Sequence, residues 1–352
     1  SSRRARVLEL FGFHGLKRER VESASAGDIV VLSGIDNLGI SDTMSDPGQE
    51  EALPALSVDD PTVSMTLQVT KSPFAGQDGK YLTSRQIRER LDQELKHNVA
   101  LRVDDTDDPD KFRVAGRGEL HLAVLVENMR REGFELAVSR PEVIMHDVDG
   151  AEHEPWEQLT VDFDESHQGA VMTRLADRKG ELLNMFPDGK GRIRLDYRIP
   201  TRGLIGFRTE YLTATSGTGL MYHVFEDYAP RVAGDIAQRN NGALVSMAQG
   251  KALAYSLFNL QERGRLFLGH GAPVYEGMII GIHQRDNDLM VNPTKAKQLT
   301  NIRAAGTDEN LVLTPPVRYS LEQALEFLDD DELLEVTPSS LRLRKKTLKE
   351  SD

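Results

Sequence analysis

Two groups of cationic side chains are the residues whose types and spacing point most directly to chemistry, and that chemistry is the binding of phosphate. Lys190, Arg192 and Arg194 alternate along a segment that reads as a β-strand following a turn. Because alternate residues of a strand lie on one face, we expect the three side chains to point the same way. A row of cations on a sheet face suits the phosphate backbone of a nucleic acid. Arg202 belongs to the same basic stretch.

The second cationic group lies in and beside a long polar segment, residues 284–310. Its members are His283, Arg285, Lys295, Lys297 and Arg303. Lys and Arg bind phosphate, and the Asn residues between them can hydrogen-bond to base edges or to 2′-hydroxyls. Aromatic residues are scarce there, so base stacking is not the expected mode of binding. Loops of this length are usually functional or disordered, and we expect a mobile loop that binds RNA.

The distribution of charge leaves two functions open. The 352 residues carry a net charge of −13, which argues against a simple nucleic-acid coat protein. Residues 171–208 nevertheless hold nine Lys and Arg against four Asp and Glu. This stretch indicates a local anionic partner, although a solvated face without a ligand is the alternative interpretation. The acidic run 329–332 favours a second function, a protein-docking module without direct RNA contact.

Sequence motifs for catalysis are absent. There is no GxxxxGK[ST] phosphate loop, no GxSxG elbow and no kinase signature. The sequence has no Cys and no HExxH pair, so we expect no metal site and no cysteine nucleophile. Glu119 and His121 lie close together, but no nucleophile is near them in sequence, and we interpret them as residues of a packed helix. We therefore expect no catalytic residue in this chain.

The elements that must position these side chains follow a repeated order. No apolar run approaches the roughly 18 residues of a membrane span, and the length predicts two to three domains. Residues 58–140 read as β-α-β-β-α-β, with a strand at Val99–Val103, a helix that begins near Thr83 and another that ends at Gly133. Residues 141–230 repeat that order, with one helix predicted over Thr201–Tyr211. The order is that of ferredoxin-like domains.

The two ends of the chain differ from this repeat. Residues 1–52 contain short predicted strands, Arg6–Leu10 and Ile29–Leu32, and read as the remnant of a β-domain begun upstream. Residues 231–352 read as a β-rich domain with one helix, Leu321–Leu328, which Ser320 would cap. Short apolar runs, Ala252–Phe258 and Leu311–Leu313 among them, are its predicted strands. The predicted fold is a multidomain α+β protein with two ferredoxin-like domains in series.

Several long strings resemble one family. They are RGELHL at 117–122, EALPAL at 51–56, NMRREGFE at 128–135, PTRGLIGFR at 200–208, LFLGHG at 266–271 and LEQALEF at 321–327. Together they resemble the BipA (TypA) family of ribosome-binding translational GTPases in the EF-G-like superfamily. That family has a G domain, a β-barrel, two ferredoxin-like domains and a family-specific C-terminal domain.

The resemblance implies a division of the chain and a place for its cofactor. It implies that 1–52 is a remnant of β-barrel domain II, 58–140 domain III, 141–230 domain V and 231–352 the family-specific domain. Since the phosphate loop and the guanine-reading NKxD are absent, we expect the G domain to be missing. The chain should then not hydrolyse GTP, and GTP and Mg²⁺ would belong to the G domain of the parent protein.

The resemblance also implies partners. They are the 70S ribosome near its A site, 23S rRNA and A-site tRNA, in ribosome assembly and in translation under stress or cold. It implies that the C-terminal loop, here Lys295, Lys297 and Arg303, reaches toward the tRNA acceptor end and 23S rRNA. Lys190, Arg192 and Arg194 would be the contacts of the domain V hairpin. We expect a cytoplasmic, monomeric chain with no membrane partner.

Overall fold

The computed structural model describes residues 4–36, 38–49, 51–54, 60–234, 236, 239, 241–297 and 311–348. The chain forms two compact units, residues 1–58 with 92–99 and residues 59–91 with 100–352. Helices and strands alternate through most of its length, which confirms the predicted α+β class.

A three-stranded antiparallel sheet, in the order β2-β1-β3, lies within residues 1–58 of the first unit. Its strands are β1 Glu9–His14, β2 Lys17–Arg20 and β3 Val31–Ser33. The predicted strand over residues 6–10 starts later and runs on to residue 14, because β1 and β2 pair as a hairpin that matches His14 with Lys17. The interpretation of residues 1–52 as a barrel remnant stays a prediction.

Residues 60–143 form a β-α-β-β-α-β arrangement with the strand order β7-β4-β6-β5. The elements are β4 Val63–Gln68, α1 Ser84–Leu95, β5 Arg102–Asp105, β6 Lys111–Gly116, α2 Glu119–Glu132 and β7 Leu136–Val138, with the short strand β8 Glu142–Val143 beside β4. Val63, Met65 and Leu67 are buried and alternate with half-buried residues along β4, so one face of this strand belongs to the core. The strand predicted from Val99 begins instead at Arg102.

Both helices of this part have the ends that the sequence predicts. The Thr83 hydroxyl accepts a hydrogen bond from the Gln86 backbone N–H at 3.3 Å, and the Gln86 side chain accepts from the Thr83 N–H at 3.1 Å. This reciprocal pair satisfies donors that the first turn of α1 would otherwise leave without partners. Gly133 ends α2 and donates to the Arg130 carbonyl.

Residues 146–230 repeat the order around a second sheet, β11-β12-β10-β13, with β9 beside β10. The elements are β9 His146–Val148, β10 Ala151–Asp164, α3 Gln168–Asp177, β11 Glu181–Pro187, β12 Arg192–Pro200, α4 Thr201–Leu204, α5 Phe207–Ala214 and β13 Leu220–Pro230. A 3₁₀ turn, Glu165–His167, precedes α3. Leu159 and Phe163 of β10 share a core with Leu175 of α3.

The single helix predicted over Thr201–Tyr211 is wrong, because the structure has two helices there. Gly206 separates α4 from α5 and has φ 71°, a left-handed conformation that interrupts a right-handed helix and that glycine adopts readily. At this break the Gly206 backbone N–H donates to the Glu119 side chain.

The C-terminal part is β-rich, and its described residues form two short helices. Its elements are β14 Ala243–Ser246, β15 Gly250–Lys251, α6 Ala254–Leu260, β16 Gly264–Leu266, β17 Pro273–Val274, β18 Met278–His283, β19 Leu289–Val291, α7 Leu321–Phe327, β20 Glu332–Val336 and β21 Leu341–Lys345. The predicted helix after Ser320 is confirmed, with a reciprocal cap between Ser320 and Gln323.

Two of the strands predicted in this part are wrong. Residues 252–258 contribute to α6 instead, because Leu253, Leu257 and Leu260 recur at helical spacing and Leu257 is fully buried. Residues 311–313 form no strand.

One sheet joins the C-terminal part to residues 60–143. Its path is β19-β14-β18-β21-β20-β7-β4-β6-β5. The join is the antiparallel pairing of β20 with β7, which places Leu334 opposite Val138. The predicted domains 58–140 and 231–352 therefore share a sheet, although their boundaries themselves stay predictions.

Candidate nucleic-acid interface

The turn between β11 and β12 presents Lys190 at its tip. The Asp188 carboxylate accepts the backbone N–H of Lys190 at 2.7 Å and that of Arg192 at 2.9 Å. These bonds, that of Lys190 first, hold the pKa of Asp188 below its usual range. The Lys190 side chain is exposed and forms no ion pair with a residue that the structure describes. Lys190 precedes β12, so it lies in the turn and not in the predicted row along the strand.

Arg192 and Arg194 do lie on one face of β12, since the residue between them is buried. Arg192 donates to the Asp162 carboxylate at 2.8 Å, and Arg194 donates to the Asp196 carboxylate at 3.0 Å. Each cation therefore has a carboxylate beside it, and the sheet face is not the uniformly positive row that the sequence predicts. Ion pairs at this degree of exposure contribute about 0–1 kcal/mol, so a phosphate could replace either carboxylate at small cost.

Arg202 is engaged inside the protein. Its guanidinium forms a two-bond contact with the fully buried Glu154 and donates to the carbonyls of Val232 and Gly234, the last at 2.8 Å. These contacts tie the start of α4 to β10 and to the chain that leaves the second sheet. Its donors are engaged within the protein, so the geometry does not favour an RNA contact for Arg202.

Other cations of the basic stretch 171–208 are engaged in the same way. Arg178 is buried and donates to the Gly203 and Ile205 carbonyls at 2.7 and 2.8 Å. Arg198 donates to the Glu226 carboxylate at 2.8 Å. The positive surface of this stretch is thus smaller than the count of its cations indicates.

The polar segment after β18 is not one uninterrupted loop. His283 is buried, and its ring Nδ1 lies 2.6 Å from the Asn287 carbonyl, so the geometry does not favour its predicted RNA contact. Arg285 is exposed and forms no ion pair with a described residue. The strand β19 then pairs in parallel with β14. Arg285 and Lys295 consequently lie beyond opposite ends of β19 and do not form one cluster.

Lys295 and Lys297 are both exposed after β19. Lys295 forms no ion pair with a described residue, whereas Lys297 does interact within the chain. Arg303 lies outside the described residues. Lys251 is a neighbour that the sequence reasoning missed, because Gly250 lies against Thr294. The pairing of β14 with β19 and the bonds from the Leu253 N–H and the Ser256 hydroxyl to the carbonyls of Pro293 and Asn292 bring these segments together. No sequence spacing reveals this.

The acidic run 329–332, on which the protein-docking alternative depends, is largely paired inside the chain. Arg140 lies 3.3 Å from Asp330, and Lys345 lies 2.9 Å from Asp331. Glu332 is fully buried and accepts two hydrogen bonds from Arg239. The run therefore offers a partner protein less negative surface than its sequence predicts.

Two glutamates from different elements meet the first turn of α5. Glu119, at the start of α2, accepts the Gly206 backbone N–H at 3.2 Å, and Glu326 of α7 accepts from the Thr209 hydroxyl at 2.8 Å. Burial raises the pKa of both carboxyls, that of Glu326 to about 7, and nearby negative charge adds to the effect. The Glu119 oxygen Oε1 is buried and has no hydrogen-bond partner in the described structure. Helix N-termini favour negative charge, so the start of α5 partly offsets the free-energy cost of burying these carboxyl groups.

Two features are absent from the described residues, a membrane-spanning helix and a cluster of metal ligands. No helix among them is long and apolar enough to cross a membrane. No group of three or more His, Asp or Glu side chains among them is arranged to hold a metal ion.

The sequence of the chain is similar to those of known protein families. Residues 241–350 match the family described as TypA/BipA C-terminal domain, and residues 152–240 match the one described as elongation factor G C-terminus. Over 351 residues the chain is 62% identical to the large ribosomal subunit assembly factor BipA of Escherichia coli K12. The chain belongs to the BipA (TypA) family. The resemblance found in the sequence is thereby confirmed.

Further members of the BipA (TypA) family carry the same name. Those of Haemophilus influenzae and Buchnera aphidicola are 60% and 54% identical to this chain. All of the chain is covered in the E. coli and H. influenzae comparisons and 99% in that of B. aphidicola, but it spans only 57–58% of the length of these relatives. A crystal structure from Thermus thermophilus aligns with 63% of this chain and with 49% of its own chain, at 15% identity and a TM-score of 0.35.

Proposed function

We propose that this chain is the ribosome-binding C-terminal portion of a translational GTPase that acts in assembly of the large ribosomal subunit. The observation that carries the proposal is identity of 54–62% along essentially the whole chain to proteins named as large ribosomal subunit assembly factors. The match of residues 241–350 to the TypA/BipA C-terminal domain adds to this support.

The finer architecture belongs to the same proposal. Residues 60–140 and 151–230 each follow β-α-β-β-α-β, and in each sheet the fourth strand lies beside the first, then the third, then the second. This order supports two ferredoxin-like domains in series. Residues 1–52 would be the remnant of a β-barrel.

RNA contact, in this proposal, uses the exposed cations. Lys190, Arg192 and Arg194 would contact 23S rRNA at the hairpin, and Arg285, Lys295 and Lys297 would contact the A-site tRNA or the rRNA beside it in the 70S ribosome. Lys190, Arg285 and Lys295 are exposed without an ion-pair partner among described residues, so binding phosphate would break no existing ion pair there.

The chemistry of the parent protein would reside outside these residues. GTP and Mg²⁺ would bind in a G domain, and the described residues would position that domain on the ribosome. We further propose that the chain is a cytoplasmic monomer and that the parent acts under stress or cold. Protein docking without RNA contact remains the second candidate, but the internal pairing of residues 329–332 gives it less support.

Co-sedimentation with 70S ribosomes across a salt series tests the proposal. We expect binding that weakens steeply with salt, and we expect Lys190→Ala to reduce the slope of log K against log salt by about one. Lys96→Ala, an exposed lysine beyond the end of α1, is the matched control and should change neither quantity. Binding that is insensitive to salt would favour protein docking, and no binding at any salt would refute the proposal for this chain.

A further inference from the structure

A cavity of about 400 Å³ opens at the join between β7 and β20, apart from the cations discussed above. Thr66 and Gln68 line it from β4, and they are the residues that alternate with the buried core side chains of that strand. Leu333 of β20 and Arg344 of β21 line it from the C-terminal part. The cavity therefore exists because the two parts of the chain share one sheet.

The charges around the cavity favour an anion. Four cations line it, Lys71, Lys111, Arg344 and Lys346, and its two lining carboxylates, Asp110 and Asp108, pair with Lys71 and Lys111. The Lys346 ammonium donates to the neutral Asp330 carbonyl and forms no ion pair with a described residue. Arg344, by contrast, is buried beside the Glu335 carboxylate at 3.1 Å. In a chain whose net charge is −13, an exposed ammonium at a cavity mouth is a suitable partner for a phosphate.

The remaining lining groups suit the rest of a nucleotide. Asp110 lies 3.3 Å from Lys71, and its partly exposed carboxylate can accept hydrogen bonds from ribose hydroxyls, as acidic residues do at dinucleotide sites. The Gln68 carboxamide makes no side-chain hydrogen bond to a described residue and offers a donor and an acceptor to a base edge. Val69 and Leu333 supply apolar surface for the face of a ring.

We propose that this cavity binds a phosphorylated ribonucleoside, either free or as the terminal unit of an RNA strand. Lys346, together with Lys71 of the same lining, would bind the phosphate, Asp110 the ribose, and Gln68 the base edge. The volume lies in the lower part of the range of roughly 300–1,000 Å³ for small-molecule sites, which fits one nucleotide and not a longer segment. The inference does not depend on the proposed ribosome contacts, which lie on other elements.

Titration calorimetry on the full chain tests this inference with three probes: 5′-AMP, adenosine, and an RNA tetramer with a 5′-phosphate and a 5′-adenosine. We expect saturable binding of one equivalent of a phosphorylated probe, with adenosine at least tenfold weaker. Lys346→Ala and Gln68→Ala should each weaken the binding about tenfold, whereas Lys96→Ala should leave it unchanged. The melting temperature of each variant should match that of the unsubstituted chain, since the Lys346 and Gln68 side chains make few internal contacts.

The three probes distinguish a free nucleotide from an RNA end as the ligand, and they can also contradict the inference. Binding of AMP identifies a free nucleotide as a sufficient ligand, and binding of the tetramer alone identifies an RNA end. The inference is overturned if neither phosphorylated probe binds, if adenosine binds as tightly as AMP, or if the cavity variants bind as well as the control. None of these results bears on ribosome sedimentation, so the two proposals can fail separately.

Discussion

Replacement of Glu326 by Gln should stabilise the protein above pH 7 and change little in acid. Glu326 of α7 is partly buried beside Thr209, and Glu119 and Glu210 add negative charge near it, while Arg178 opposes them. Burial first, and then these carboxylates, raise its pKa from 4.5 to about 7. The ionised carboxylate is therefore less favourable in the folded protein than in the unfolded chain. Gln keeps the oxygen that accepts the Thr209 hydroxyl and removes the ionisation.

The magnitude follows from the change in pKa. At 1.36 kcal/mol per pH unit, a rise from 4.5 to about 7 corresponds to about 3 kcal/mol of lost stability once the group is fully ionised. Because partial solvent exposure screens the charge, we expect a smaller loss of stability, about 1–2 kcal/mol. The contribution of the protonated Glu326 carboxyl to the free energy of unfolding is complete below pH 4.5 and is lost as the pH rises through 7. The reason is that the folded state retains the proton to a higher pH than the unfolded chain does.

Urea unfolding at pH 5 and at pH 8 measures the effect. The free energy of unfolding of Glu326→Gln minus that of the unsubstituted chain should be larger at pH 8 than at pH 5 by about 1–2 kcal/mol. Glu262→Gln, an exposed glutamate in the same part of the chain, is the matched control and should show no such rise. A difference between variant and parent that is the same at both pH values would refute the reasoning.

Three further outcomes are expected. Arg202→Ala should lower the free energy of unfolding by about 3–5 kcal/mol in urea, because it leaves the Glu154 carboxylate buried without its cation; a loss below 1 kcal/mol would contradict the internal role. Gly206→Ala should lower thermal stability by at least about 1 kcal/mol because of its φ of 71°, and an unchanged melting temperature would contradict that strain. Lys295→Ala combined with Lys297→Ala should weaken ribosome co-sedimentation at an unchanged melting temperature, and unchanged affinity would remove the loop from the interface.

Local features of the fold were accessible from the sequence, because each depends on residues a few positions apart. The caps at Thr83 and Ser320 are read from side chains three residues away. The turn at 187–191 is indicated by its Pro, Asp and Gly residues. The break at Gly206 was missed, because apolar spacing continues across it and the left-handed φ leaves no trace in that spacing.

The candidate site was less accessible, because partners distant in sequence decide which cations are exposed. Arg202 looks like any basic residue until the fold brings Glu154, 48 positions earlier, against it. His283 is likewise buried by strand pairing. Lys190 was predicted from its alternation with Arg192 and Arg194 along a strand, whereas the structure places it in the turn before β12. Family resemblance, carried by long strings, identified the protein more securely than charge did.

The pairing of β20 with β7 gives the C-terminal residues a protective role. β7 is fully buried, and a chain that ended before residue 332 would leave its backbone N–H and C=O groups along an open edge. Such edges recruit strands from other molecules. A C-terminal deletion in this family would therefore be expected to yield insoluble protein. Loss of activity after such a deletion would then result from self-association. It would indicate a lost function only for chains that remain in the supernatant.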